Sequence, residues 1–131
     1  MHQLIYTSEA APGLTSDDLF RIIEQSARNN PSADITGFLI YRGGSFLQLV
    51  EGPLIALETL IETLRRDPRH RALTVLSKLA ITDRSFPRWR MKRVGEGRNA
   101  LDELHDALLA EGRALVLPGE VTAFLEERAA A

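Results

Sequence analysis

The chain has 131 residues, a net charge of −2 and no cysteine. This length suits one domain with a sizeable core, and the charge gives no reason to expect nucleic acid or an anionic membrane surface as a partner. The lack of cysteine excludes disulfides, thiol nucleophiles and thiolate metal sites. No signal region or membrane-spanning run is seen, so we expect a cytoplasmic protein without a membrane partner.

Strand and helix signals alternate from the start of the chain. Residues 4–8 predict a short strand, and Thr15 with Asp18 three residues later predicts a helix start in which both side chains bind free backbone amides. Apolar residues then recur at helical spacing. The helix is predicted to end at Asn29-Asn30-Pro31, because the residue before a proline avoids the helical region.

A hairpin and a second helix follow. Ile35 to Tyr41 and Phe46 to Glu51 are β-rich runs around a glycine turn, and Gly52-Pro53 breaks the second strand and begins a helix. Asp67 to His70 is predicted as a turn. A long strand from Leu73 to Ile81 is predicted to have both faces mostly covered. The helix has an apolar stripe of Leu57, Leu60, Ile61 and Leu64.

The order of these elements, with a last strand predicted at Phe86 to Arg93, is β-α-β-β-α-β-β. This order predicts an α+β fold with a ferredoxin-like sheet, one added strand and two helices on one face. Residues 1–94 would form this unit. Residues 95–131 are predicted to be a helical extension that packs on the other face of the sheet, within the same globular unit. The extension has two apolar stripes, Leu101, Leu104, Leu108 and Leu109, and then Val121, Phe124 and Leu125.

Gln48 is the most unusual residue of the hairpin. Strand alternation places Phe46, Gln48 and Val50 on one face, and Leu47 and Glu51 on the other. An amide buried without partners costs roughly 1–3 kcal/mol, so Gln48 is expected to have them. Taken alone, it is best explained as a structural amide bonded to backbone. The alternative is an amide directed at a ligand between the helices.

Other polar residues also have two explanations. The hydroxyl of Tyr6 in the first strand needs a partner if it is buried. Asn29 and Asn30 either simply end a helix or bind the polar edge of a ligand. The basic residues around Arg69 and His70 either form a solvated helix end or bind an anion. Trp89 and Met91, which share one face of the last strand, are more often simple core residues.

Catalytic and metal-binding patterns are missing from the sequence. The three histidines have no metal-ligand spacing, and no glycine-rich phosphate loop or Gly-x-Ser-x-Gly motif is present. The carboxylates are scattered over predicted helical faces, so no hydrolase arrangement stands out. We therefore expect no metal site, and these patterns give no support for an enzyme.

Together and in this order, the motifs between Leu4 and Met91 resemble the BLUF family, the blue-light sensors that use FAD. The matching motifs are Leu4-Ile5-Tyr6-x-Ser8, Asn29-Asn30, Ile35-Thr36-Gly37, Phe46-Leu47-Gln48-x-x-Glu51-Gly52, Asp67-x-Arg69-His70, Arg84-x-Phe86 and Trp89-x-Met91. The resemblance implies that FAD is bound noncovalently, with its ring between the two helices.

The resemblance also implies a role for each matching residue. Tyr6 and Gln48 would be the photoactive pair, and Trp89 and Met91 would respond to light on the last strand. Asn30, with Asn29 beside it, would hold the carbonyl edge of the flavin ring. The residues implied to pack against or beside the flavin are Ile22, Phe46, Val50, Leu64, Asp67, Arg69 and His70.

The implied function is photoreception by Tyr6-to-flavin electron and proton transfer and a hydrogen-bond rearrangement of Gln48, which shifts flavin absorption to the red. No effector domain is expected after Arg93, so the signal would pass through the last strand to an unknown downstream protein or to another copy in a homo-oligomer. Two alternatives remain at this point: a small ferredoxin-like enzyme of the acylphosphatase type, and a flavin-free ligand-binding or oligomerisation module.

Two positions depart from the pattern of the family. Many relatives have a basic residue at the position of Thr63, where it contacts the pyrimidine side of the flavin. Either Arg65 or Arg66 would replace that contact, or ring binding would be weaker. Asp34 stands where glycine is common, directly before Ile35-Thr36-Gly37.

Overall fold

The computed structural model of the chain describes residues 1–13, 15, 17–18, 21, 34–42, 44–67, 70–86, 92–94, 106 and 118–130. Within these residues, five strands form one sheet and two helices have defined bounds. The elements are β1 (His2–Ala10), β2 (Thr36–Arg42), β3 (Ser45–Gly52), α1 (Leu54–Arg66), β4 (His70–Ala80), β5 (Lys92–Val94) and α2 (Gly119–Ala130).

The sheet has the strand order β4-β1-β3-β2-β5. The first four strands are antiparallel, in the order of a ferredoxin-like fold, and β5 is added parallel to β2. The predicted sheet is thereby confirmed. Of the predicted last strand, Phe86 to Arg93, Phe86 lies in a bend and Lys92 and Arg93 belong to β5, whereas residues 87–91 lie outside the described residues.

The predicted start of the N-terminal helix is confirmed by two reciprocal hydrogen bonds. The backbone amide of Asp18 donates to Oγ1 of Thr15 at 3.1 Å, and the amide of Thr15 donates to Oδ2 of Asp18 at 3.2 Å. Asp17, Asp18 and Arg21 are helical. The predicted end of this helix lies outside the described residues.

The core that bears on function lies between the sheet and α1. Every residue of β3 is buried, as expected for a central strand. Helix α1 buries its predicted apolar stripe together with Ala56. The buried cluster on this face contains Leu4, Tyr6, Ile35, Leu39, Phe46, Val50, Ala56, Leu57, Leu60, Ile61 and Leu64.

Gly37 allows β2 to approach β3 closely. Its φ of 149° is rarely adopted by residues with a side chain, and a Cβ added there would lie 1.8 Å from the carbonyl oxygen of Leu49. Glycine is therefore the residue that fits this position. Because Gly37 pairs with Val50, this close approach lies next to the strand that carries Gln48.

The prediction that β4 has both faces mostly covered is wrong. Val75, Leu76 and Leu79 are 37%, 43% and 55% exposed. The reason is that, within the described residues, β4 lies at the edge of the sheet and has β1 as its one neighbouring strand. The pairing passes directly from Val75 to Ser77, so Leu76 interrupts the regular alternation of the strand.

Part of the predicted C-terminal extension is described. In α2, Val121 and Phe124 are buried. The first predicted stripe, from Leu101 to Leu109, lies outside the described residues, so packing of the extension on the sheet stays a prediction. Among the helices of the described ranges, none is long and apolar enough to cross a membrane.

Candidate functional site: a buried tyrosine and glutamine on the central strands

Tyr6 and Gln48 are direct neighbours across β1 and β3. Leu39 pairs with Gln48 on one side, and Val75 pairs with Tyr6 on the other. Residues directly opposite each other in an antiparallel pair point to the same face of the sheet. Tyr6 and Leu39 belong to the cluster packed around α1, so the row Leu39–Gln48–Tyr6–Val75 lies on the face that carries this helix.

The hydroxyl of Tyr6 is buried and has no hydrogen-bond partner among the described residues. The side chain is completely buried, and this burial raises the pKa of Tyr6 well above its ordinary value of 10.0. Tyr6 therefore keeps its proton at neutral pH. Because the folded-state pKa is raised, the stabilising effect of the neutral phenol is complete below about pH 10 and is lost as the pH rises further.

Gln48 is also completely buried. Its Oε1 atom accepts no hydrogen bond from the described residues, although the residue is engaged in an interaction of its own. A glutamine amide has one acceptor oxygen and two N–H donors, and it can exchange their positions by rotation. Next to the Tyr6 phenol, it is therefore a group with two satisfiable hydrogen-bonding arrangements.

Three other predicted site residues lie in the buried cluster that contains Tyr6. Phe46, Val50 and Leu64 are completely buried in the same cluster. Asp67 ends α1, and its backbone amide donates to the carbonyl of Leu64 at 3.1 Å. The predicted turn from Asp67 ends one residue early, since His70 already belongs to β4.

Six predicted site residues lie outside the described residues. The structure therefore neither places them beside Tyr6 and Gln48 nor separates them from this pair, and their roles stay predictions. These residues are Ile22, Asn29, Asn30, Arg69, Trp89 and Met91.

One buried polar group was given no role by the sequence prediction. Glu51 is completely buried, and its two carboxyl oxygens accept hydrogen bonds from Nε2 of Gln3 at 3.1 Å, the amide of Ser85 at 2.9 Å and the amide of Phe86 at 2.7 Å. The motif Gln48-x-x-Glu51 already contained this residue. Its donors, however, come from residues 34 to 48 positions away, which no local pattern relates to it.

Arg84 lies beside Glu51 and binds two strands. Its Nη1 donates to Oγ1 of Thr36 at 2.8 Å and to the carbonyl of Glu51 at 2.7 Å. Its Nη2 donates to the carbonyl of Asp34 at 2.5 Å and to Oδ2 of Asp34 at 3.2 Å. We call Glu51, Arg84 and the groups they bind the clasp.

Comparison with known proteins assigns this arrangement to a family. Residues 1–92 match the family model described as "BLUF: Sensors of blue-light using FAD". The chain belongs to the BLUF family. It is 36% identical over 84 residues to photoactivated adenylate cyclase subunit beta of Euglena longa. That match covers 64% of this chain and 10% of the cyclase, so the chain spans about a tenth of this curated relative.

Solved structures of BLUF proteins share the fold over nearly the whole chain. The BLUF protein BlrB in its dark state superposes with a TM-score of 0.69 at 32% identity, covering 98% of this chain and 95% of BlrB. BlsA in its photo-activated state gives a TM-score of 0.68 at 28% identity, covering 99% of this chain and 95% of BlsA.

The BLUF cofactor, FAD, fits the chemistry of the described residues. A buried phenol without a partner costs roughly 1–3 kcal/mol, and a polar group of a bound molecule beside Tyr6 removes that cost. The apolar side chains of Phe46, Val50 and Leu64 are suited to an aromatic ring system. Tyr6 and Gln48 together offer a donor and an acceptor to its polar edge.

Thr63, for which the resemblance implies a basic residue, lies on α1 close to Arg65 and Arg66. Thr63 is exposed, and its hydroxyl donates to the carbonyl of Thr59 at 2.9 Å. Arg65 is about 200° from Thr63 around the helix and lines a groove against β4 with Val75. Arg66 pairs with Glu62 on the exposed side of α1 at 2.5 Å.

We expect Thr63→Arg to tighten flavin binding. The longer side chain adds a charge-assisted donor on the flank of α1 where the family resemblance implies one, and at an exposed position we expect Kd to fall about three- to tenfold. Flavin titration followed by fluorescence quenching measures it. The matched control is Thr59→Arg, because Thr59 is also exposed and donates to a carbonyl four residues earlier. If both variants bound flavin as tightly as wild type, a basic residue at position 63 would not contact the flavin.

Proposed function

We propose that this chain is a blue-light receptor that binds FAD noncovalently and is a sensor rather than an enzyme. The observation that supports this proposal most strongly is the buried Tyr6–Gln48 pair on adjacent central strands, in a chain that belongs to the BLUF family. An acylphosphatase-type site or a flavin-free module gives no reason to bury a phenol without a partner next to an amide.

FAD, when bound, supplies the absorption of blue light and an acceptor for one electron. Tyr6 would be the source of that electron, and its hydroxyl would pass its proton toward Gln48. Both would return to Tyr6 afterwards, and the Gln48 amide would be left in its second hydrogen-bonding arrangement. Burial raises the pKa of Tyr6 and so disfavours the phenolate form, and the apolar surroundings exclude water that would compete for the proton.

The remaining predicted residues would hold the cofactor. We propose that residues 1–94 are the flavin-binding unit, in which Phe46, Val50 and Leu64 pack against the ring and Asp67 lies at the end of α1 beside it. The residues proposed to complete the site are Ile22, Asn29, Asn30, Arg69 and His70.

The output is proposed to leave through the segment before β5. Trp89 and Met91 directly precede this strand in the sequence, and residues 95–131 follow it as the proposed helical extension. The matched relative from Euglena is named as a photoactivated cyclase and is about ten times longer than the matched stretch. We propose that this chain likewise passes its signal to a partner, either a downstream protein or a second copy in a homo-oligomer.

The purified chain and its Gln48→Ala variant test this function. The wild type is expected to release flavin on denaturation and to show a small, reversible red shift in blue light without bleaching. Gln48→Ala is expected to bind flavin and to lose the whole shift, because no rotatable amide remains. Wild-type protein that holds no flavin supplied in excess would refute the proposal, and a normal shift in Gln48→Ala would refute the role of the amide.

A further inference from the structure

The clasp lies on the face of the sheet opposite to the photoactive pair. Glu51 is three residues from Gln48 on β3, and strand alternation therefore directs the two side chains to opposite faces. Glu51 pairs with Gln3 on β1 and with Thr36 on β2. The residues Gln3, Glu51 and Thr36 thus form a second polar row across the same central strands. Along β3 this row is three residues from the row that contains Gln48 and Tyr6.

The carboxyl group of Glu51 holds the loop after β4 in place. It accepts hydrogen bonds from the backbone amides of Ser85 and Phe86 and from the side-chain amide of Gln3. The ring of Phe86 packs edge-on against Phe38 of β2, with centroids 5.0 Å apart. A buried carboxyl group with three donors is costly to disturb, because each buried donor would lose its partner.

Arg84 joins the same loop to the beginning of β2 and the end of β3. Its planar fork makes four hydrogen bonds, two of them to backbone carbonyls, and its side chain is only 12% exposed. A lysine could not reproduce this pattern, because it carries its donors on one point charge.

Three segments of proposed functional importance meet at the clasp. Asp34 follows Asn30 by four residues, Glu51 follows Gln48 by three, and Phe86 precedes Trp89 by three. The clasp therefore ties together, by side-chain and backbone hydrogen bonds, the chain segments that lead to the ring contact, the switching amide and the output strand.

We propose that Glu51 and Arg84 are positioning residues that transmit the rearrangement of Gln48 to the segment that carries Trp89 and Met91. A movement of β3 at Gln48 shifts the Glu51 carboxyl and carbonyl, and both are bonded directly to the loop at residues 84–86. This inference rests on the proposed function, since it needs a light-driven change at Gln48 to transmit.

Asp34 gives this chain an additional contact in the clasp. Its φ of 43° is in the left-handed region, which glycine adopts freely and aspartate tolerates. Its carboxylate adds an ion pair to Arg84 at 3.2 Å that glycine, common at this position among relatives, cannot make. The departure noted in the sequence therefore strengthens the hold of Arg84 on the start of β2.

The test compares flavin-loaded Arg84→Gln with wild type in light and darkness. The red shift is expected to be retained, because Tyr6 and Gln48 are unchanged. The light–dark difference in hydrogen exchange of peptides covering residues 87–94 is expected to fall about threefold or more. Lys78→Gln is the matched control, because it removes the same charge from an exposed ion pair with Glu58, and it is expected to leave both measurements unchanged.

A graded variant covers the case in which Arg84→Gln does not hold flavin. Arg84→Lys keeps the charge and loses the fork, so its exchange difference is expected to lie between those of Arg84→Gln and wild type. The inference would be overturned if a variant that retains flavin showed the same light–dark exchange difference as wild type. Loss of flavin in both variants would also overturn it. A wild type without any red shift would instead refute the proposed function.

Discussion

Replacing Tyr6 by phenylalanine is expected to abolish the light-induced red shift while flavin stays bound. The phenyl ring fills the same completely buried space between β1 and α1, so packing is preserved. The variant lacks only the hydroxyl, whose proton the proposed mechanism moves toward Gln48. Without flavin, removal of a buried hydroxyl that has no partner in the described residues is expected to leave the free energy of unfolding unchanged or slightly higher.

Tyr41→Phe is the matched control, because Tyr41 is the second of the two tyrosines in the chain. It is packed against the same cluster but is only partly buried. Removal of the Tyr41 hydroxyl is expected to leave the red shift intact. Difference spectra before and after blue light measure both variants. A wild-type shift in Tyr6→Phe would show that another residue is the donor.

The fold could be predicted from the sequence wherever a local signal decided it. The Thr15–Asp18 helix start needs only two side chains three residues apart, and both of its hydrogen bonds are present. The alternation in β3 correctly separated Phe46 and Val50, which join the cluster around α1, from Glu51. Period-two and period-3.6 patterns specify which side of an element is buried, and this is enough to order a small sheet.

The prediction for β4 failed because the exposure of a strand depends on its position in the sheet, and the sequence of the strand does not give that position. An apolar run looks the same whether the strand is central or at an edge, and the position of β4 beside β1 alone is a property of the complete sheet. The clasp escaped prediction for the same reason. Arg84 binds Asp34 and Thr36 from 50 and 48 residues away, and such partners become neighbours only after β1, β2 and β3 have paired.

The functional roles at the site came from family resemblance, and they stay predictions. From the residues alone, Gln48 was best explained as a structural amide. The structure adds the cross-strand pairing with Tyr6 and the complete burial of both side chains. Burial gives the pair its chemical interest, since a phenol and an amide enclosed among apolar groups respond strongly to any polar group brought beside them.

Gly37→Ala is expected to lower the stability of the sheet strongly. Its Cβ would lie 1.8 Å from the carbonyl oxygen of Leu49, and a backbone atom of a central strand cannot move aside as the end of a flexible side chain can. Together with the strain of an alanine at a φ of 149°, we expect a loss of about 3–5 kcal/mol in the free energy of unfolding. Urea unfolding followed by circular dichroism measures it.

Gly44→Ala separates the clash from the backbone strain. Gly44 has a φ of 84° in the same hairpin, but a Cβ there would meet no atom within 4 Å. It is therefore expected to cost only about 1 kcal/mol. Gly37→Ala is also expected to weaken flavin binding, because Gly37 pairs with Val50 of the proposed site. Gly44→Ala is expected to leave flavin binding unchanged, because Gly44 lies outside that site. If both variants lost the same stability, the close approach of β2 to β3 would not be what requires glycine at position 37.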